Sequence, residues 1–178
     1  MNSADLVVML GNLSRSMFSI QYFISGLAYL LGAAFFIVAL MKLKAIGAAH
    51  GHSNERAFVP VAYMLGGSAL IYLPSAVSLM ANTAFGVGNV LQYTPYSAYD
   101  IKATIPTLIR TGGLIWFVRG CVLLVNASNP GIQHGPKGLA FLCAGVLAMN
   151  FESSIAFLNY IMGNLISLTM SIKNSQGY

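Results

Sequence analysis

From Ser16 to Met41 the chain carries no charged side chain. A run of that kind is long enough to cross the hydrocarbon core of a bilayer, about 30 Å thick, which takes roughly 20 apolar residues in a helix. The same scarcity of charge holds throughout. Of 178 residues, 7% are charged and 57% apolar, with a mean hydropathy of +0.72. A soluble domain carries about 25% charged residues. Too few charges remain to cover a water-soluble globule. The composition therefore reads as a single all-α integral membrane domain, residues 1–178, and sets aside soluble enzymes, nucleic-acid binders and disordered linkers.

The net charge of +5 comes from nine Lys and Arg against four Asp and Glu, so it reflects scarce acids more than abundant bases. No basic cluster exceeds Lys42-Leu-Lys44. The electrostatic footprint of a nucleic-acid binder is missing, and no direct sequence-specific nucleic-acid binding is expected. Lys and Arg in such a chain act as topological anchors and headgroup contacts, so phospholipid is the expected surroundings. The two cysteines, Cys121 and Cys143, both lie in apolar runs, which is neither a disulfide framework nor a metal-site spacing.

Four transmembrane helices are expected, arranged as two hairpins. The first covers 19–41. Met1 to Ser14 holds Asp5 and no base before Arg15, unlike the basic start of a secretory signal, so this helix reads as retained. The second covers 60–85, with Pro60 suited to a helix start and Pro74 as a mid-span kink that neighbouring helices can satisfy. Beyond it Tyr93, Tyr96 and Tyr99, with Asp100 and Lys102, suggest an aromatic belt at headgroup level. The third covers 105–125 and includes Arg110, Arg119 and the single Trp116; Asn126 to Gly131 then marks a turn. The fourth covers 138–162 and includes Glu152. A fifth crossing is weaker, because Leu139 to Met149 is too short to span. The denser basic loop, with Lys42, Lys44 and Arg56, puts the His-containing loops in the cytoplasm and both termini outside, in the periplasm if the membrane is a bacterial inner membrane.

The two halves resemble each other. Each has a helix, a loop with His-Gly (His50-Gly51, His134-Gly135), a proline and a second helix ending at glycine. A shift of 77 residues pairs Leu65 with Leu142, Leu70 with Leu147, Asn82 with Asn159 and Gly86 with Gly163. In a composition this biased, chance and a parallel internal repeat both remain open.

Ionisable groups inside a membrane are costly and are candidates for function. At 1.5 Å per residue, Arg110 lies about 22 Å before Val125 and Glu152 about 21 Å beyond Gly138. In an antiparallel pair of helices the two share a level and form an intramembrane ion pair. It fixes helix register, lines a conduction path or gate, or reflects side chains snorkelling to headgroups. Arg119 has no acid at its level and reads as a side chain reaching for lipid phosphates, or as one facing a lumen. Small residues four apart, Ala28/Gly32, Ala62/Gly66 and Ala140/Ala144/Ala148, allow close helix packing where lipid gives no hydrophobic drive. Some of these serve the bundle, and the remainder suit self-association or docking onto partner membrane proteins.

Enzymatic motifs are not found. His50-Gly-His52 and His134 stand in polar loops without a ligand cluster. Asp5, Glu55, Asp100 and Glu152 accompany no nucleophile elbow. Gly86-Val-Gly-Asn89 lacks the third glycine and the strand of a phosphate loop. No catalytic residue, metal or cofactor is expected.

Two stretches look familiar. Met64-Leu-Gly-Gly-Ser-Ala-Leu-Ile-Tyr-Leu-Pro-Ser75 with Thr83-Ala-Phe-Gly86 is the first. The second is Phe117-Val-Arg-Gly-Cys-Val-Leu-Leu124, followed by His134-Gly-Pro-Lys-Gly138 and Ala144-Gly-Val-Leu-Ala-Met-Asn150. Together they resemble the small inner-membrane proteins of type IVB secretion systems: the IcmC/DotE group of the Dot/Icm apparatus, its sisters DotV and IcmD/DotP, and conjugation-transfer relatives such as TraQ. The resemblance spans roughly residues 60 to 163. It implies a non-enzymatic subunit of a bacterial inner-membrane machine that exports proteins or DNA through a channel or pilus-like assembly. Its partners would be copies of itself and other secretion-system membrane subunits. It also suggests kinship with type IVA pilins, in which Arg119 would stand at a family-like motif position facing lumen or lipid. It supplies no catalytic residue. The rival reading is a small four-helix channel or transporter whose path is lined by Arg110 and Glu152.

Overall fold

The computed structural model describes residues 3–48, 58–86 and 101–175. Six α-helices make up nearly all of them, and no strand occurs among the described residues. They are α1 (Ser3–Ala48), α2 (Phe58–Ile71), α3 (Leu73–Phe85), α4 (Ile101–Ala127), α5 (Gly135–Met149) and α6 (Phe151–Ser175). Three stretches are long and apolar enough to cross a membrane: Gly11–Ala48, Thr104–Ala127 and Phe151–Asn174. They become four if α2 and α3 together count as one span.

The helix boundaries differ from the expected spans in instructive places. The first and third spans lie inside longer helices, α1 and α4. The second is broken, because α2 and α3 meet at an angle of 100°. Pro74 does not kink a continuous helix. The chain departs from helical geometry at Tyr72 (φ −100°, ψ 41°), and Pro74 opens the first turn of α3. A proline ring clashes with the carbonyl four residues earlier, here Leu70, and offers no N–H to continue the ladder. The fourth span, 138–162, is divided at Asn150. There the Asn150 amide Nδ2 donates to the Val146 carbonyl at 3.0 Å, so the side chain competes for the helix's own acceptor. Ser154 Oγ reaches back to the Leu147 carbonyl at 2.8 Å and satisfies a group the break would leave open. With 15 residues, α5 is about 22 Å long, too short to cross alone.

Helix α1 packs chiefly on α2, and α4 on α5; α4 also lies against α1 and α2. The core centres on Phe117 and Leu70, both fully buried, with Ala28, Leu73, Leu114, Cys121, Leu142, Val146 and Met149 around them. A second cluster gathers Ala39, Val59, Tyr63 and Val125 near the 128–134 turn. The Tyr63 ring meets Phe35 edge-on at 5.7 Å, and its hydroxyl accepts from Asn129 Nδ2 at 3.0 Å. Gly131, at φ +85°, takes the left-handed conformation that closes this turn and that side chains disfavour.

Glycine sets how closely the helices approach. A Cβ on Gly67 would stand 2.9 Å from the Gly32 carbonyl and 3.3 Å from the Phe36 nitrogen. A Cβ on Gly145 would stand 2.8 Å from the Gly113 carbonyl and 2.6 Å from the Phe117 nitrogen. The two crossings repeat one pattern: a glycine on the shorter helix against a glycine and the fourth residue after it, a phenylalanine, on the longer one. Along α4 and α5 the contact continues through Gly120 against Leu142 and Gly138 against Leu124. The expected stripe Ala140/Ala144/Ala148 is therefore displaced by a face. Ala140 is exposed and Ala144 and Ala148 are half-buried, while Gly138, Leu142, Gly145 and Met149 form the buried row. Ala28 and Gly32 face the interior, Ala62 is half-buried, and a Cβ on Gly66 would collide with Val125.

Candidate functional site: a cavity between two helix breaks

Arg110 lies six residues inside the span Thr104–Ala127, about 9 Å from its start. Glu152 occupies the first turn of α6, where a carboxylate faces the positive end of the helix dipole. The break at Asn150 thus puts Glu152 at the end of the candidate span Phe151–Asn174, rather than in mid-helix. Arg110 Nη2 and Glu152 Oε1 are 3.8 Å apart, with the side chains 34% and 54% exposed. The contact is electrostatic and too long for a hydrogen bond. It is half-open rather than enclosed. Arg110 Nε is buried and has no hydrogen-bond partner.

Arg110 also lines a cavity of about 230 Å³. Helix α1 contributes Gln21 and Ser25, and the start of α3 contributes Leu73, Pro74, Val77 and Ser78. Leu114 on α4 and the Met149–Asn150 break between α5 and α6 complete it. Both interruptions of helical geometry therefore border one space. Gln21 Nε2 donates to Thr111 Oγ1 at 2.7 Å, tying α1 to α4 one residue beyond Arg110. Thr111 in turn donates to the Thr107 carbonyl at 2.8 Å, so the polar contact is anchored to the α4 backbone. Ser78 Oγ donates to the Pro74 carbonyl at 2.9 Å, at the cavity's α3 wall. The walls are mostly apolar with a few converging polar groups, the usual character of a small-molecule site.

The remaining expected residues fall elsewhere. Arg119 is exposed, and its guanidinium carbon lies 4.8 Å from the centroid of the Phe141 ring, a cation–π distance. Trp116 meets the same ring edge-on at 6.4 Å. Cys121 is buried and Cys143 exposed, both as free thiols. His134 stands just before α5 without a side-chain cap. His50, His52 and Tyr93 to Asp100 lie outside the described residues. No group of three or more His, Cys, Asp or Glu able to hold a metal occurs among the described residues.

The sequence reading picked out Arg110, Glu152 and Pro74 but missed Gln21, Ser25 and Asn150 as neighbours of one space. A polar amide interrupting an apolar run, as Asn150 does, is the signal that was available. No protein-family model, curated protein or solved structure matches this chain.

Proposed function

We propose that this chain is a non-enzymatic, multi-pass membrane subunit that works by docking helix to helix within a larger assembly. The observation that carries this is the surface of α6. No residue of the span Phe151–Asn174 is buried, and the helix meets the rest of the chain through few contacts, such as Phe157 edge-on to Phe85 at 6.1 Å. Leu158, Tyr160, Met162, Leu165, Leu168 and Met170 are all more than half exposed. An apolar surface this continuous calls for lipid or another helix.

Two further features support the reading. The matching glycine crossings of α1 on α2 and α4 on α5, with a broken second helix after each, favour two equivalent hairpins related by an internal parallel repeat. The resemblance of residues 60 to 163 to type IVB inner-membrane proteins supports reading the assembly as a secretion or conjugation apparatus of the bacterial inner membrane, and the denser basic loop with Lys42, Lys44 and Arg56 supports periplasmic termini. Its partners are then further copies and other membrane subunits of that apparatus. The Arg110–Glu152 pair with its cavity favours a second reading, a small channel or transporter.

Solubilising membranes in a mild detergent, isolating the tagged chain and identifying what accompanies it tests the first reading. Stoichiometric co-isolation of copies of itself and of secretion-system membrane subunits is expected. A lone monomer, also uncrosslinked in native membranes, contradicts it.

A further inference from the structure

The Arg110 guanidinium is under-satisfied. It carries five N–H donors and is always charged. Its contact with Glu152, 3.8 Å from Nη2, is longer than a hydrogen bond, and its buried Nε has no partner. A charge left this way in apolar surroundings demands an acceptor. The space beside it selects what that acceptor is. Leu73, Val77, Leu114 and Met149 line most of the cavity, while Ser25 and Asn150 supply polar groups. A small hydrated anion would have to shed water against hydrocarbon there. A molecule with an anionic head and an acyl body would not. The start of α3 at Leu73–Pro74 borders the same space, adding the positive end of a helix dipole to the guanidinium. The 9 Å separating Arg110 from the end of its span is within reach of a lipid phosphate drawn inward beside an arginine.

We infer that the cavity between the helix breaks is a binding site for an anionic glycerophospholipid, its phosphate held by Arg110 and its acyl chain lying along the apolar wall, with Glu152 as the competing anion. This rests on the chain being embedded in lipid, but not on its belonging to a secretion apparatus. A lipid held there would join α1, α3, α4 and the α5–α6 break.

The test uses the full chain purified in detergent and returned to nanodiscs of phosphatidylcholine containing a minor fraction of phosphatidylglycerol. Retained lipid is measured by mass spectrometry after washing. Wild type is expected to retain phosphatidylglycerol selectively, and Arg110→Gln to lose that retention by about tenfold or more, as for removal of one partner of a close charge pair. Glu152→Gln, which removes the competitor, should keep or strengthen it, and Arg119→Gln should leave it unchanged. Val77→Phe, which fills the cavity with Arg110 intact, should lose it as Arg110→Gln does; it decides the matter should Arg110→Gln fail to fold. Equal loss in Arg110→Gln and Arg119→Gln would overturn the site in favour of diffuse surface charge. Loss in Glu152→Gln would overturn it in favour of a purely structural ion pair. Displacement by inorganic phosphate alone would assign the pocket to a free anion instead. A chain that never enters the nanodisc would refute the membrane reading itself, which is a separate result from a nanodisc-embedded chain that retains no lipid.

Discussion

Gly112 and Gly113 are neighbours on α4 with opposite surroundings. A Cβ at Gly112 meets nothing within 4 Å, whereas one at Gly113 lies 2.8 Å from the Met149 nitrogen and 2.9 Å from the Gly145 carbonyl. Those are backbone atoms and cannot step aside. Gly113→Ala is therefore expected to destabilise the fold by about 1–3 kcal/mol. Gly112→Ala should be neutral or gain up to about 1 kcal/mol through helix propensity. Thermal unfolding of the two variants in one detergent reads the difference, and equal midpoints would contradict the close approach of α4 and α5. The cysteines offer a second check at this scale. Cys143 is exposed and Cys121 only 3% so, so N-ethylmaleimide should modify Cys143 first in detergent and reach Cys121 only on unfolding. Mass spectrometry of the peptides decides this, and equal rates would contradict the α4–α5 packing. For Arg110 and Glu152, a lone Arg110→Met should cost modestly more stability than Arg110→Met with Glu152→Leu, because the single change leaves the half-exposed Glu152 carboxylate without its partner. If the double variant stays assembled but abolishes a measurable solute flux, the channel reading replaces the assembly reading.

At the scale of elements, the breaks decide the architecture. Although α4 runs on through Pro106, Pro74 announces a bend or a break, because its missing N–H and its ring against the carbonyl of Leu70 disfavour a continuous helix. Its size was not legible: a kinked span and two helices at 100° share the same local sequence, and contacts of α3 with α1 and α5 settle which forms. Asn150 was not read as a break at all, since a single amide in an apolar run is also compatible with a helix interior. The glycine row of α5 was missed for a related reason. The alanines recur four apart, whereas the glycines at the contact, Gly113 and Gly120 on α4 and Gly138 and Gly145 on α5, recur at seven, a spacing that also keeps one helix face. Gly113 meets Gly145 directly, while Gly120 packs on Leu142 and Gly138 on Leu124. The Arg110–Glu152 pairing could be read by counting from the intervening turn, but the cavity needs α1 and α3 brought beside them, which no local pattern specifies. Replacing Pro74 by alanine should partly straighten the α2–α3 junction. Spin labels at Val61 and Thr83, both exposed, should then move apart toward about 33 Å, the length of a straight helix between them. An unchanged distance would mean that packing alone holds the bend.

At the scale of the whole molecule, the account turns on what surrounds these helices. Scarce charge, three stretches long and apolar enough to span, and a span Phe151–Asn174 without a buried residue are all consistent with an apolar solvent. In water, Tyr22, Phe23, Leu30 and Ile37 on α1 and Leu158, Tyr160 and Met170 on α6 would form adhesive stripes, each of these side chains being more than half exposed. In lipid the same stripes are neutral, and close glycine contacts hold the bundle through dispersion rather than exclusion of water. The proposed lipid site and the proposed docking role both presuppose that setting. Cell fractionation followed by alkaline carbonate extraction tests it most directly. The chain should remain in the membrane pellet and be released only by detergent; recovery as a monodisperse species in a supernatant free of any amphiphile would contradict the account.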